Sequence, residues 1–344
     1  MIVGDRFDER QRRGALRPGS GNGRRFVFVG GAPRSGTTLV QNMLDSHPAV
    51  LGGPEFLHLA RVVALRAALR DSAAEQTIDA FVAPEEVDRL IRTLIEDLLL
   101  PLADRHGAPL LSEKTPSNVL VFDALVELFP EARCLFVLRD PRAIIASMLA
   151  VGDRAAANGM RAQPFTRSLR AAMRYVGQCF EAGFAAAAAH PDRILTVTYE
   201  ALVTDPEAET RRICGFLGLD WAAAMLFPRA VEHLGMKAVT ERSGNIWYDA
   251  DSFRRNPDPA GMHKWRDRLT AFQRARIAAG FARFDALARH GYALAPGSPA
   301  QAALGRAGLL LDGARDRLGR AIRAAPLYAA AALPVRDIAA AGFV

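Results

Sequence analysis

Residues 26–38 read FVFVGGAPRSGTT and combine a short apolar run, a glycine-rich turn and the start of a helix. The run at 26–29 is β-branched and aromatic, which favours a buried strand. A strand that passes through such a turn into a helix directs several backbone N–H groups and the positive helix end toward one point. The stretch therefore predicts an anion-binding loop in an α/β fold.

The loop follows the phosphate-binding spacing G-x-x-x-x-G from Gly31 to Gly36. The next residue is Thr37, where nucleoside triphosphatases need a lysine that reaches the β and γ phosphates. The loop therefore suits a single phosphate better than a triphosphate, although a merely structural glycine-rich turn is the alternative. The side-chain donors of the loop are Arg34, Ser35, Thr37 and Thr38.

Elsewhere, short β-branched or aromatic runs alternate with longer helical patterns, which is typical of α/β proteins. Strands are predicted at 26–29, 110–112, 134–138 and 194–198, and helices at 38–46, 85–100, 119–129, 142–150, 166–190, 207–217 and 271–290. We expect one α/β domain at 25–295, with a P-loop-like central parallel sheet flanked by helices on both faces. A disordered basic leader at 1–24 precedes it, and an Ala/Arg-rich tail or docking helix at 296–344 follows.

Composition limits the class of protein. The chain has 344 residues, 50% of them hydrophobic and 24% charged, and a formal net charge of +7, as expected of a soluble globular protein with an anionic ligand. Its arginines form no dense block, so we do not expect nucleic acid as a partner. Only Lys114, Lys237 and Lys264 are lysines. In a chain so rich in arginine, a retained lysine suggests a place that needs a compact ammonium, with chance retention as the alternative; Lys237 has no assigned role.

The cysteine count and the N-terminal sequence bear on the compartment. Three scattered cysteines are too few for a disulfide framework or a zinc site. Neither a signal-peptide pattern nor an uncharged stretch of about 20 residues is visible. A cytoplasmic location without a transmembrane segment is therefore expected.

A second anion site is predicted around Arg139. Residues 136–142 read FVLRDPR, which places Arg139 at the carboxyl end of a buried strand, where open α/β sheets bind ligands. Ser147 follows two turns into the next helix, and a guanidinium with a nearby hydroxyl can clamp a second phosphate. A helix cap formed by Arg139 and Asp140 is the alternative interpretation.

Together the two anchors predict a nucleotide with phosphates at two separated positions. GAPRSGTT at 31–38, with RDPR at 139–142 and Ser147, resembles the 5′-phosphosulfate loop and the 3′-phosphate motif of sulfotransferases that use 3′-phosphoadenosine 5′-phosphosulfate (PAPS). Shorter pieces of the sequence resemble the tyrosylprotein sulfotransferase branch. These are LDSHP at 44–48 with Glu55, KTP at 114–116, and the pairs at 199–200, 242–243 and 264–265.

The resemblance implies metal-free, in-line transfer of a sulfuryl group from PAPS to an acceptor hydroxyl. It assigns the 5′-phosphosulfate to Arg34, Ser35, Gly36, Thr37 and Thr38, the 3′-phosphate to Arg139 and Ser147, and the rest of the nucleotide to Tyr199, Ser243 and Lys264. Lys114 would face the transferred sulfate, and Glu55 would be the base. His47 and His58 stay as alternative bases, because other sulfotransferases use histidine.

The acceptor is left open by two departures from the branch. Pro54 stands where the tyrosylprotein pattern has a glutamate, and Leu57 where it has an arginine, so an acceptor other than protein tyrosine is expected. A small molecule, a carbohydrate, a lipid-like metabolite and a peptide are the candidates, and a homo-oligomer stays open. A P-loop nucleotide kinase or NTPase and a non-catalytic nucleotide-binding protein are the alternative functions.

Overall fold

The computed structural model describes residues 22–235, 246–247, 256–294 and 298–324. The chain divides into two compact units. Met1–Arg139 and Gln178–Ala260 form the first unit, and Asp140–Gly177 and Gly261–Val344 form the second. Most of the predicted leader lies outside the described residues, whereas Asn22–Arg25 forms a 3₁₀ turn that leads into the first strand. The sheet and the predicted phosphate-binding loop at 31–38 belong to the first unit.

The first unit contains a five-stranded parallel sheet with the order β2-β3-β1-β4-β5. Its strands are β1 Phe26–Gly31, β2 Val50–Gly52, β3 Leu110–Lys114, β4 Arg133–Leu138 and β5 Ile194–Thr198. All four predicted strands are therefore confirmed. Strand β2 has only three residues, too few to show an alternating pattern, and the sequence gives no signal for it.

The helices of the described residues begin and end close to most of the predicted positions. They are α1 Thr37–Asp45, α2 Leu59–Ala74, α3 Pro84–Arg105, α4 Phe122–Leu128, α5 Pro141–Ala157, α6 Leu169–Ala189, α7 Tyr199–Thr204, α8 Pro206–Leu217, α9 Trp265–Arg268, α10 Ala271–Phe281, α11 Asp285–Arg289 and α12 Pro299–Ala324. Helix α2 was not predicted. It buries only Leu59, Arg66 and Ala73, a stripe too narrow for a clear apolar pattern.

Helices cover both faces of the sheet within the first unit. On one face, Val29 and Val137 pack in a core with Met43 of α1 and Ile213 of α8. On the other, the rings of Phe26 and Phe28 pack on Phe129, which follows α4 directly. These contacts confirm the predicted α/β fold and leave the carboxyl ends of the strands as the edge where the loops meet.

In the second unit, the C-terminal helix α12 packs closely on α10. A Cβ at Gly305 would lie 2.5 Å from the carbonyl oxygen of Ala275, and Arg276 forms an ion pair with Asp312. Among the described residues, every helix is too short or too polar to cross a membrane.

Candidate functional site

The loop between β1 and α1 has the backbone geometry of an anion cradle. Gly36, which precedes α1, has a φ of 104° and no side chain that could cap the helix. The first N–H groups of an α-helix have no intrahelical acceptor, which makes this helix start suited to an anion. Arg34 adopts a φ of 74°, which is unfavourable for a residue with a Cβ. Such strain is typical of functional loops, where the surrounding structure holds the backbone in place.

The two glycines of the spacing are required by close packing. A Cβ at Gly31 would lie 2.4 Å from the carbonyl oxygen of Val137 in β4. A Cβ at Gly36 would lie 2.5 Å from Cδ2 of Tyr199. Position 36 therefore requires glycine for two reasons: its φ is positive, and the Tyr199 ring lies too close for a Cβ.

Two buried donors of this region lack a partner among the described residues. They are the hydroxyl of Ser35, in the loop, and Nε of Arg139, at the end of β4. A buried polar group without a hydrogen bond costs about 1–3 kcal/mol. A phosphate group could accept from each of these donors, so the two residues fit the nucleotide with two separated phosphates that the sequence predicts.

Arg139 joins the loop to the end of β4. Its guanidinium lies 4.0 Å from the ring centroid of Tyr199, and Nη1 donates to the carbonyl oxygen of Arg34 at 3.1 Å. The side chain of Arg34 in turn donates to the carbonyl oxygen of Trp247 at 2.7 Å. The stacked ring and the carbonyl restrict the orientation of the guanidinium.

Asp140 and Arg142 form the cap of helix α5. Asp140 is the N-cap residue and accepts from the backbone N–H of Arg142 at 2.8 Å. The same carboxylate forms an ion pair with the Arg142 side chain at 2.7 Å. Asp140 and Arg142 therefore supply the capping contacts that the alternative interpretation gave to Arg139 and Asp140.

Lys114 connects the loop to Glu55. It ends β3 beside Val29 of β1 and is 6% exposed. Its Nζ donates to Oγ1 of Thr38 at 3.3 Å and forms an ion pair with the carboxylate of Glu55. The Glu55 side chain is 27% exposed and can be reached from solvent. Three residues predicted separately are thus brought into contact.

Glu113 is a site residue that the sequence analysis missed. It is 2% exposed, and its carboxylate accepts from Phe56 N at 3.0 Å, Thr115 Oγ1 at 2.7 Å and Asn118 Nδ2 at 2.5 Å. Burial raises the pKa of this carboxyl, and the three hydrogen bonds oppose the increase. The available signal was weak: Glu113 comes directly after the strand predicted at 110–112, and only the observed strand Leu110–Lys114 includes it.

Two polar side chains of α1 fix the backbone that leads to Glu55. Nε2 of Gln41 donates to the carbonyl oxygens of Gly53 at 3.1 Å and Ser112 at 2.9 Å. Asp45 accepts from the N–H of Gly52 at 2.7 Å and contacts Nδ1 of His233 at 2.6 Å. Local patterns gave no role to Gln41, Asp45 or His233, because the contacts of Gln41 with Ser112 and of Asp45 with His233 span 71 and 188 positions.

The alternative bases lie in different surroundings. His47 is buried; its Nδ1 accepts from the N–H of Ala49 at 3.1 Å, and its Nε2 lies 2.7 Å from the carbonyl oxygen of Asp220. Both ring nitrogens therefore make structural contacts. His58 is exposed, precedes α2 and packs edge-on against Phe56, with ring centroids 5.5 Å apart. Glu55, in contrast, forms an ion pair with Lys114.

Other predicted residues stay predictions. In the second unit, Ser147 lies in α5 and Lys264 immediately precedes α9. Ser243 and Lys237 lie outside the described residues. Within the described ranges, no group of three or more His, Cys, Asp or Glu side chains is placed to hold a metal ion.

Known proteins resemble the chain in sequence and in fold. A family model described as "Sulfotransferase family" matches residues 27–223. Protein-tyrosine sulfotransferase A of Caenorhabditis elegans is 35% identical over 202 residues, which are 57% of this chain and 50% of that protein. Protein-tyrosine sulfotransferase 2 of Gallus gallus is 32% identical over 205 residues, 58% of this chain and 53% of that protein. The chain thus spans about half the length of these curated relatives.

A solved structure, the sulfotransferase domain from the curacin biosynthetic pathway, matches with a TM-score of 0.51. The match covers 74% of this chain and 96% of that one at 18% identity. At this level of identity the likeness concerns the fold alone, and it agrees with the parallel sheet described above.

Proposed function

This chain belongs to the sulfotransferase family, and from that membership we propose that it transfers a sulfuryl group from PAPS to an acceptor hydroxyl. The observation that carries the proposal is the position of Lys114, which contacts both Thr38 of the phosphate-binding loop and Glu55. A cation, a loop for the leaving phosphate and a carboxylate for the acceptor proton are the groups that such a transfer requires.

The nucleotide would be held by two sets of donors. The hydroxyl of Ser35 and the N–H groups at the start of α1 would bind the 5′ side, and Arg139 would bind the 3′-phosphate with the Tyr199 ring supporting its guanidinium. The resemblance adds Ser147, Ser243 and Lys264 to this proposal. Charge-assisted hydrogen bonds of this kind are the strong ones.

When bound, PAPS supplies the sulfuryl group and a phosphate oxygen that leaves. The acceptor oxygen bonds to sulfur while the bond between sulfur and the phosphate oxygen breaks, and Glu55 takes the acceptor proton. Lys114 and the start of α1 neutralise the charge that develops on the leaving oxygen. These residues supply the positive charge, so the proposal includes no metal ion.

The turn after Glu55 bears on the acceptor. Leu57 is 50% exposed and adopts a φ of 63°, so the chain holds an apolar side chain two residues from the proposed base. The tyrosylprotein pattern has an arginine at this position. We therefore propose a hydroxyl acceptor other than protein tyrosine, and a small molecule with an apolar part is favoured over a carbohydrate or a peptide.

We also propose that the protein works in a reducing compartment such as the cytoplasm. Cys134, Cys179 and Cys214 are free and buried, as is usual for cysteines that serve as small apolar side chains. Burial raises the pKa of Cys214 to about 11, which keeps this thiol protonated and unreactive at neutral pH.

The first test is calorimetric binding of adenosine 3′,5′-bisphosphate, the expected product, beside ATP with and without magnesium. We expect metal-free binding of the bisphosphate that weakens at least tenfold in Arg139→Ala, because a charge-assisted contact contributes about 1.5–3 kcal/mol. Arg133→Ala is the matched control, since Arg133 begins the same strand at its other end. A preference for magnesium-ATP that Arg139→Ala leaves unchanged would favour a nucleotide kinase.

Turnover is measured with PAPS and three acceptors: a simple phenol, a sugar and a tyrosine peptide. Product formation with any of them supports the function, and the relative kcat/KM values rank the acceptor classes. Bisphosphate binding without transfer to any acceptor would favour a non-catalytic nucleotide-binding protein.

A further inference from the structure

We propose that Glu113 is a positioning residue whose buried carboxylate fixes the turn that carries Glu55 relative to the phosphate-binding loop. The inference rests on the proposed function, because the position of Glu55 matters only if this carboxylate takes the acceptor proton. It is carried by contacts within the first unit.

The two ends of the Glu113 carboxylate bind different segments. Oε1 accepts from the backbone N–H of Phe56 at 3.0 Å, directly after Glu55 in the chain. Oε2 accepts from Nδ2 of Asn118 at 2.5 Å, and Nδ2 also donates to the carbonyl oxygen of Val29 at 3.3 Å. Val29 immediately precedes the glycines of the phosphate-binding loop. One buried carboxylate therefore links the Glu55 turn to the end of β1.

The neighbouring residue of β3 makes the complementary contact. Successive side chains of a strand point to opposite faces, so Lys114 and Glu113 leave β3 in opposite directions. Lys114 reaches the Glu55 side chain, whereas Glu113 holds the peptide that follows Glu55. Both the carboxylate of Glu55 and its backbone are thus tied to the carboxyl end of β3.

The turn itself needs external support. Leu57 has a φ of 63°, a conformation that L-residues with a Cβ rarely adopt. Its N–H contacts Oγ1 of Thr115 at 3.4 Å, and Thr115 in turn donates to Oε1 of Glu113 at 2.7 Å. Glu113 therefore holds the amide before this strained residue and orients the hydroxyl that meets the amide of Leu57.

A buried carboxylate is an expensive way to make a structural contact, because desolvation disfavours its charged form. Its two oxygens, however, allow one side chain to accept from the turn and from Asn118 at the same time. A misplacement of about 1 Å between reacting groups can lower a rate about 100-fold, which gives such a double contact a direct effect on turnover.

The test compares Glu113→Ala with Glu113→Gln, using PAPS and the best acceptor of the screen above. In Glu113→Ala, kcat should fall about 10–100-fold, while the Kd for adenosine 3′,5′-bisphosphate changes by less than about twofold. Glu113→Gln should recover part of the loss, because its amide oxygen still accepts from the Phe56 N–H, whereas its NH2 group cannot accept from Nδ2 of Asn118. Glu209→Ala is the matched control: Glu209 is also a buried carboxylate of the first unit, but it pairs with Arg212.

A second measurement does not depend on activity. Hydrogen exchange of a peptide covering 54–58 should be at least about tenfold faster in Glu113→Ala, because the Phe56 amide loses its acceptor. If Glu113→Ala does not fold, Thr115→Val takes its place and should lower kcat about fivefold. Unchanged exchange at 54–58, or faster exchange with unchanged kcat, would overturn the inference.

The outcomes separate this inference from the proposed function. A wild-type protein that transfers sulfuryl groups, with variants that turn over as fast as wild type, would overturn the role of Glu113 alone. A wild-type protein without transfer to any acceptor would overturn the proposed function, and the positioning role with it.

Discussion

Lys114 and Glu55 form an ion pair although 59 positions separate them in the chain. Lys114 ends the strand beside β1, and Glu55 lies in the turn after β2, on the other side of β3. The pair therefore depends on the order of three parallel strands. The proposed base and the proposed catalytic cation meet at the sheet edge where α/β proteins bind their ligands.

Replacing Lys114 by alanine should remove the cation from the reaction centre. We expect kcat to fall about 100–1,000-fold, because a charge that stabilises the leaving oxygen acts mainly in the transition state. Binding of adenosine 3′,5′-bisphosphate, measured by calorimetry, should change much less. A loss of binding without a loss of kcat would show that Lys114 serves the nucleotide and not the transfer.

Glu55→Gln keeps the shape of the side chain but cannot take the proton from the acceptor hydroxyl. We expect kcat to fall about 100–10,000-fold. His58→Ala should retain turnover, since His58 is an exposed residue that contacts Phe56. Steady-state kinetics of the two variants decide between the bases. Full turnover in Glu55→Gln together with inactivity of His58→Ala would contradict the assignment.

Gly36→Ala should distort the phosphate-binding loop and weaken nucleotide binding through two effects. The φ of 104° disfavours a Cβ, and that Cβ would lie 2.5 Å from the Tyr199 ring. We expect the Kd for adenosine 3′,5′-bisphosphate to rise at least tenfold. Gly218→Ala is the matched control, because Gly218 also has a positive φ but faces open space. It should cost about 1–2 kcal/mol of stability and leave binding unchanged.

The raised pKa of Glu113 predicts how stability depends on pH. The folded state binds the proton of the Glu113 carboxyl more tightly than the unfolded state does. The stability that this proton binding contributes is therefore complete below the unfolded pKa of about 4.3. It is lost as the pH rises through the folded pKa. Burial is the main cause, and the nearby charge of Glu55 adds to it.

Urea unfolding of wild type and Glu113→Gln over this pH range measures the effect. The difference in unfolding free energy between the two proteins should shift in favour of Glu113→Gln as the pH rises above about 4.3 and level off above the folded pKa. A difference that stays constant with pH would contradict the prediction for Glu113.

Local patterns were sufficient for several conclusions. The strand at Phe26–Gly31, the glycines at 31 and 36, and the start of α1 lie within one short stretch, and each has a local physical cause. Burial, a positive φ and helix geometry act over a few residues, so the sequence predicts them directly. The same holds for Arg139, whose place at the end of an apolar strand was readable from 136–142.

The identity of the proposed base shows what local patterns cannot decide. Glu55, His47 and His58 lie close together in sequence, and each residue type can act as a base. Tertiary contacts separate them: His47 meets the Asp220 carbonyl, His58 lies at the surface, and Glu55 meets Lys114.

The sequence by itself determined the parallel α/β fold and the glycine-rich turn between β1 and α1, because both follow from periodicity and glycine spacing over short distances. Only the tertiary structure decided the partners of the loop. Glu113 reaches Phe56 across 57 positions, and Arg139 reaches Arg34 across 105. Such contacts depend on which strands become neighbours in the sheet, and burial in the shared core, not any local propensity, sets that order.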